Sequence, residues 1–175
     1  IKGGGHQLIR VEDDGVGMGR DDALACLERH ATSKIRQTDD LLSLATMGFR
    51  GEAMAAIASV SLLELQTMDG EESTRLEVEA GRVVAVEPCA RNRGTTIDVR
   101  SLFYNVPARQ KFQKSAASSS AQILKTLQTI ALAQPEIAFS LVSQERVVFQ
   151  ADAAADWRAR AQDVLGSFSH EVKSE

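Results

Sequence analysis

Residues 48–54 read Gly-Phe-Arg-Gly-Glu-Ala-Met, a glycine-containing stretch that leads into an alanine-rich run. Two glycines enclose Phe49 and Arg50, and the alanine-rich run 53–58 that follows is typical of a helix. Glycines let the backbone approach a ligand, and a helix start offers free N–H groups at the positive end of its dipole. The stretch is therefore typical of a phosphate-binding loop, to which Arg50 would add a charge-assisted hydrogen bond. A glycine loop that merely precedes a packed helix would have the same pattern.

An acidic residue and two more glycines follow the first predicted strand. Residues 7–12 read as a short strand that runs directly into Asp13–Met18, Asp-Asp-Gly-Val-Gly-Met. An ionised carboxylate only accepts hydrogen bonds, so Asp13 suits an exocyclic amine such as that of adenine. Gly15 and Gly17 would leave room for a flat ring. An Asx turn leading into a helix explains the same residues without a ligand.

Hydroxyl groups mark two further segments. Thr32, Ser33 and Lys34 lie in a stretch with few apolar residues, where they either contact a polyphosphate or form an ordinary loop. Thr95 follows a glycine at the start of a predicted strand, where its hydroxyl either faces a ligand or simply belongs to a β-branched strand residue.

The composition is that of an ordinary globular protein. The 175 residues are 43 % hydrophobic and 25 % charged, with a net charge of -4, so bulk charge does not predict nucleic-acid binding. Cys26 and Cys89 form neither a disulfide framework nor a metal motif, and Cys26 reads as a small buried hydrophobe. No signal peptide and no apolar run of transmembrane length is present. Because the chain begins at Ile1 rather than at a methionine, we expect it to be part of a longer protein.

Periodicity predicts an α+β chain without the regular βα alternation of a doubly wound fold. A core position is expected for Leu102, Phe103 and Phe112, and an apolar helix stripe for Ile123, Leu127, Ile130 and Ala131. A boundary is predicted near residues 151–156. The predicted strands lie near residues 7–12, 60–67, 75–79, 83–87, 95–100, 138–142 and 146–150, and the predicted helices near 21–28, 52–58 and 118–133, with another from about 156 to 165.

In their order and spacing, these motifs resemble the ATPase region of the MutL family of DNA mismatch-repair proteins, within the GHKL superfamily of ATPases. The motifs that carry the resemblance are Asp13–Met18, residues 29–35, residues 48–54, residues 94–96 and the run 103–112, Phe-Tyr-Asn-Val-Pro-Ala-Arg-Gln-Lys-Phe. The resemblance implies a two-layer sandwich of a mixed, mostly antiparallel sheet with helices on one face. It also implies a GHKL ATPase domain over residues 1–150 and the start of a following domain over 151–175.

The resemblance also assigns nucleotide-binding roles. Asp13, Gly17 and Thr95 match the adenine contacts, and Thr32 and Ser33 match lid positions near the phosphates. The phosphate loop corresponds to Gly48, Phe49, Arg50 and Gly51. Glu52 is interpreted as structural.

In the family, the general base and the Mg²⁺ ligand belong to an earlier helix, for which nothing before Ile1 is available. We therefore expect no catalytic residue and no metal ligand in this chain, and little or no ATPase activity from it alone. In the longer protein, ATP with Mg²⁺ would drive slow hydrolysis, dimerisation of the N-terminal regions and clamping on DNA. The implied partners are DNA, MutS, and a downstream nuclease or helicase. The implied location is the bacterial cytoplasm near the nucleoid, or the nucleus in a eukaryote, and no membrane is involved.

Three alternatives stay open. One is another GHKL branch, such as a topoisomerase subunit or a chaperone, and a second is the ATP-binding domain of a histidine kinase. The third is a non-catalytic interaction module in which the glycine loops are only turns.

Overall fold

The computed structural model describes residues 1–28 and 52–171, with side chains as far as Val164. The chain divides into two compact units. The sheet unit comprises Leu8–Gln113, and the hairpin unit comprises Ile1–Gln7 with Lys114–Glu175. The predicted division after residue 150 concerns the domains of a longer protein and stays a prediction.

The described part of the sheet unit is an antiparallel sheet with short helices. Its strands are β1 Leu8–Asp13, β2 Leu62–Met68, β3 Ser73–Glu79, β4 Arg82–Pro88 and β5 Gly94–Arg100, and its helices are α1 Arg20–Ala25, α2 Ala53–Ala58 and α3 Pro107–Lys111. The strands lie in the order β1-β5-β2-β3-β4, and each neighbouring pair is antiparallel. The predicted α+β fold, a sheet with helices on one face, is confirmed.

One face of this sheet forms the core. Strict alternation along β2 places Leu63 and Leu65 on the same side, and register carries that side across to Leu76 on β3 and Val99 on β5. Helices α1 and α2 cover these residues through small buried alanines, which let the helix backbones lie close to the sheet. Cys26 packs against this core as predicted, and burial raises the pKa of its thiol to about 11.

The opposite face of the sheet is charged. The buried carboxylate of Asp98 on β5 accepts two hydrogen bonds of 2.6 Å from Arg10 of β1 and another from Arg100. Arg100 lies 3.5 Å from Glu64 on β2, which accepts a hydrogen bond of 3.0 Å from Arg75 on β3. That bond from Arg75 is the main reason why the pKa of Glu64 is lowered. The network therefore joins four neighbouring strands through side chains.

The core prediction around α3 is partly wrong. Leu102 packs against the sheet core, but Phe112 is 87 % exposed. Pro107 begins α3 as predicted, yet this helix buries none of its residues, and Phe112 is its C-terminal cap. Phe103 is half-buried beneath the Arg109 guanidinium, which lies 5.8 Å from its ring centre. Phe112 stays exposed because the short helix α3 has no buried face against which its ring could pack.

The hairpin unit combines a two-stranded sheet with two helices. Its elements are α4 Ala116–Ala133, β6 Phe139–Ser143, β7 Arg146–Ala151 and α5 Trp157–Glu171, with a 3-10 turn at Gly3–Gly5. Ser115 caps α4 by accepting from the Ser118 N–H, and Asp156 accepts from the first N–H groups of α5. The predicted hairpin turn at Gln144–Glu145 is confirmed, and both residues have the positive φ of a type I′ turn.

The core of this unit contains a buried cation. Ala131, Leu141 and Phe149 pack together with residues of α4 and α5. Arg160 is fully buried, and its Nη2 donates at 2.6–2.9 Å to three backbone carbonyls, those of Pro135 and Ile137 between α4 and β6 and that of Asp152 after β7. Its Nε and Nη1 make no hydrogen bond with the described residues.

The predicted stripe of α4 is wrong at one position. Ile123 and Leu127 pack against the core with Ala131, but Ile130 is 39 % exposed. Successive helix residues are about 100° apart, so Ile130 falls beside the face that Ala131 shares with the residues four and eight positions earlier. Across the described helices, none combines the length and apolar character required to cross a bilayer.

Candidate functional site

Three polar side chains meet where strands of the sheet unit end. Asp13 is the last residue of β1 and lies opposite Thr95 near the start of β5. Thr95 in turn lies opposite Thr67, the penultimate residue of β2. Because antiparallel partners directly opposite each other place their side chains on one face, these three residues form a row across the end of the sheet.

The two threonines form a buried hydroxyl pair. Thr67 is fully buried, and its Oγ1 lies 3.3 Å from the Oγ1 of Thr95 and 3.2 Å from the carbonyl oxygen of Gly94. The same Oγ1 accepts a hydrogen bond of 2.8 Å from the Met18 N–H. Since one hydroxyl has a single proton, its donation to Gly94 would leave Thr95 as the donor within the pair. Thr67 therefore connects the loop after β1 with the ends of two strands.

The two carboxylate oxygens of Asp13 differ in their hydrogen bonding. Oδ1 accepts a hydrogen bond of 3.0 Å from the Gly15 N–H, which is the Asx turn considered as an alternative. Oδ2 accepts no hydrogen bond from the described residues, and the residue is exposed. The turn therefore holds the carboxylate through one oxygen and leaves the other without a hydrogen bond from the described residues.

Gly17 is required by the protein backbone. Its φ is +73°, and a Cβ atom at this position would lie 1.9 Å from the carbonyl oxygen of Met68. The absent side chain thus allows the loop to lie against the end of β2. Whether Gly17 also borders a flat ring stays a prediction.

Several predicted site residues lie outside the described residues. They are Thr32, Ser33, Gly48, Phe49, Arg50 and Gly51. Glu52, which is described, is the N-terminal cap of α2, and its carbonyl accepts from the Ala56 N–H at 2.9 Å. The site geometry that the described residues provide is thus that of the Asp13–Thr67–Thr95 row.

Two curated proteins that are similar in sequence to this chain share one name. The chain is 48 % identical over 172 residues to the DNA mismatch repair protein MutL of Anaeromyxobacter dehalogenans. It is 47 % identical over 168 residues to MutL of Citrifermentans bemidjiense. These matches cover 97 % and 95 % of the chain.

The chain belongs to the MutL family. It spans 28 % and 26 % of the length of those two relatives. No family model matches it.

Solved structures agree with the MutL assignment. The fold matches the Aquifex aeolicus MutL ATPase domain complexed with ADP at a TM-score of 0.75 and 27 % identity, over 95 % of this chain and 59 % of that one. It matches the N-terminal domain of a DNA repair protein equally well, at 0.75 and 28 % identity, over 94 % of this chain and 50 % of that one. The described fold is therefore similar to that of MutL ATPase domains.

Two other features of the chain do not form part of the row. An open groove of about 230 Å³ lies between the start of α1 and the strands β3 and β4, and it is lined in part by Arg20, Glu72 and Glu87. It contains none of the three row residues. Within residues 1–28 and 52–171, no three His, Cys, Asp or Glu side chains lie together as candidate metal ligands.

Sequence reasoning did not find Thr67. The residue lies on the apolar side of β2, where alternation would place another leucine, and a polar residue at such a position is a detectable signal. Its pairing with Thr95 depends on the register between β2 and β5, which are separated along the chain by the hairpin of β3 and β4. Register of that kind cannot be read from one strand alone.

Proposed function

We propose that the row of Asp13, Thr67 and Thr95 forms the adenine wall of an ATP site, and that the full-length protein is an ATPase of DNA mismatch repair. The observation that carries this proposal is the exposed Asp13 carboxylate at the end of the sheet, whose Oδ1 is held by an Asx turn while Oδ2 accepts no hydrogen bond from the described residues. A MutL relative of similar fold that was solved with ADP supports it.

Each residue of the row would contribute through its own chemistry. Asp13 Oδ2 would accept a hydrogen bond from the exocyclic amine of adenine, because an ionised carboxylate can only accept. Thr95 would offer a lone pair of its hydroxyl oxygen to the ligand or to a bridging water molecule. Thr67 would not touch the nucleotide, but would fix the Thr95 hydroxyl and the Met18 N–H.

The phosphate end of the proposed site depends on Gly48, Phe49, Arg50 and Gly51, with Thr32 and Ser33 beside it. Backbone N–H groups of such a glycine loop would bind the phosphates, and Arg50 would add positive charge. Mg²⁺ would act with the phosphates, but no described residue offers a ligand set for it, so none is assigned. No residue of this chain is assigned as the general base.

In the full-length protein, ATP binding would favour a closed state in which two N-terminal regions associate. A ligand changes such an equilibrium only through its difference in affinity for the two states. The closed dimer would hold DNA and recruit MutS together with a nuclease or helicase. A cytoplasmic location belongs to the same proposal.

The first test is nucleotide binding and phosphate release by the full-length protein and its Asp13→Asn variant. An asparagine has one acceptor oxygen, so it cannot serve both the Gly15 N–H and an adenine amine, and its own NH₂ would meet the amine donor. We expect the affinity for ATP and ADP, measured by calorimetry, to fall about 100-fold, since a hydrogen bond to a charged group contributes about 1.5–3 kcal/mol. Hydrolysis at low ATP should fall in proportion.

The matched control is Asp14→Asn, which removes the neighbouring exposed carboxylate. It should leave affinity within about twofold of wild type, as surface substitutions usually do. Equal binding by wild type and the Asp13 variant would show that Asp13 is only a turn residue. Absence of binding by the wild-type protein would instead favour an interaction module.

A further inference from the structure

Two arginines from another loop donate hydrogen bonds to the backbone of the loop that begins at Asp13. Residues 14–16 of this loop are exposed. Arg91 Nη2 donates to the Asp13 carbonyl oxygen at 3.2 Å, and Arg93 Nε donates to the Val16 carbonyl oxygen at 3.4 Å. Both arginines lie in the connection between β4 and β5.

Arg91 is the stronger of the two fastenings. Its Nε and Nη2 both donate to the Thr96 Oγ1, at 3.3 and 3.0 Å, and its Nη1 donates to the Asn92 carbonyl at 3.0 Å. All three guanidinium nitrogens are therefore engaged, and the side chain is half-buried. A planar fork can hold several acceptors in a fixed relation, whereas a lysine ammonium on a flexible stem cannot. Arg91 thus ties the end of β1 to β5 and to its own loop.

The carbonyl that Arg91 holds is also confined by Gly94. A Cβ atom on Gly94, whose φ is +122°, would lie 2.1 Å from the Asp13 carbonyl oxygen. The Asp13 carbonyl therefore lies between the backbone of β5 and the Arg91 guanidinium. Because the carboxylate is attached to the same residue, fixing this carbonyl also restricts the direction of Oδ2.

Thr96 lies on the sheet face opposite Thr95, since adjacent strand residues point to opposite faces. Arg91 therefore reaches Asp13 from behind the row, and it has no role as a ligand contact. Its effect must pass through the position of Asp13.

We propose that Arg91 is a positioning residue that fixes the Asp13 carboxylate and so sets the discrimination between adenine and a purine with an oxo group at the same ring position. This inference rests on the proposed function. A fixed carboxylate accepts from an amine but repels an oxo group, and it cannot turn away to reduce that repulsion. A carboxylate that is free to move makes a poorer hydrogen bond to the amine, and it can also turn away from the oxo group. The affinities for the amino purine and the oxo purine therefore become more similar.

The test compares ADP with inosine diphosphate, which has the oxo group, on the full-length protein. Wild type should bind ADP more tightly. Arg91→Ala should weaken ADP binding about fivefold while inosine diphosphate changes less than about twofold, because a single positioning hydrogen bond is worth about 1 kcal/mol. Arg91→Lys should give an intermediate ratio, and it serves if the alanine variant does not fold. The control Arg82→Ala, at the exposed start of β4, should leave the ratio unchanged.

The ratio of the two dissociation constants is the deciding measurement, because a purely structural defect would weaken both ligands equally. An unchanged ratio in both Arg91 variants, with a wild type that prefers ADP, would overturn this inference alone. A wild type that binds neither ligand would overturn the proposed function, and this inference with it. Equal binding of ADP and inosine diphosphate by the wild-type protein would show that Asp13 does not recognise the adenine amine, and it would overturn this inference.

Discussion

Each unit of the molecule buries polar groups, but the two sets differ in kind. In the sheet unit, Thr67 and Thr95 are neutral, bond to each other and lie beside an exposed carboxylate. In the hairpin unit, Arg160 is charged, lies in a core, and bonds to three backbone carbonyls of that unit. Burial of a polar side chain therefore does not by itself indicate a functional site. The distinguishing feature is an exposed group, the Asp13 carboxylate, with bonding capacity left over for a ligand, because the unpaired Nε and Nη1 of Arg160 are buried.

The largest effect is expected from Arg160→Ala. The substitution removes the donor of three carbonyls and leaves a cavity, so we expect unfolding of the hairpin unit to become easier by about 3–5 kcal/mol. Hydrogen exchange of the β6 and β7 amides in the full-length protein measures this, and nucleotide affinity provides the comparison with the sheet unit.

Arg158→Ala is the matched control for that experiment. Arg158 is an exposed arginine on the same helix, and its guanidinium lies 5.6 Å from the Trp157 ring centre. Its removal should change stability by less than about 0.5 kcal/mol. If the two variants exchange alike, Arg160 does not hold the unit together, and the contrast between the two buried clusters disappears.

Thr67→Val should have a smaller effect on stability and a clear effect on the site. Valine keeps the shape of threonine but leaves the Met18 N–H without its acceptor, which costs about 1–3 kcal/mol. We expect faster exchange of the Met18 amide and weaker ADP binding.

Thr74→Val tests whether this effect is specific. Thr74 is a buried threonine on the core face of β3 whose hydroxyl makes no hydrogen bond to the described residues. Its substitution should leave both readouts near wild type. Equal loss in the two variants would mean that the Thr67–Thr95 pair matters only as core packing.

A third polar cluster, around Glu64 and Arg75, is expected to have the smallest effect on stability. Hydrogen bonding from Arg75 lowers the pKa of Glu64 on the charged face of the sheet. A lowered folded-state pKa contributes stability that is present above the unfolded-state value, about 4.3, and is lost as pH falls below it. Glu64→Gln should therefore cost at most about 1 kcal/mol near pH 7, and the difference from wild type should shrink below about pH 4.

Hydrogen exchange of β2 and β5 peptides, compared at equal pH so that intrinsic rates cancel, measures this difference. The exposed Glu71→Gln is the control and should change stability by less than about 0.5 kcal/mol at each pH. A difference for Glu64→Gln that grows on acidification would contradict the assigned role of Arg75.

Local patterns predicted most of the described elements. Alternation identified the strands, Pro107 marked the start of α3, and the turn at Gln144–Glu145 lay where expected. Each of these signals lies within a few neighbouring residues. The errors at Phe112 and Ile130 arose where burial depends on what packs against a helix, which the helix sequence does not state.

The site was predicted less completely for the same reason. Asp13 and Thr95 were found from glycine-flanked motifs, but Thr67 and Arg91 act across strands. Thr67 meets Thr95 through the pairing of β2 with β5, and Arg91 meets Asp13 over 78 residues of sequence. Contacts of this range are decided by the tertiary fold. The family resemblance pointed to the ligand, whereas these supporting groups emerged only from the sheet register.

The strand order has a consequence in time. β1 is synthesised first, yet the strand it pairs with in the described sheet is β5, and Leu8 lies opposite Arg100. At ribosomal rates of about 5–20 residues per second, roughly 80 residues of further synthesis take about 4–16 s. During that interval, β2, β3 and β4 can already pair with their immediate neighbours. The pairing of β1 with β5 therefore forms only after β5 emerges, and Asp13 reaches its place beside Thr95 only then.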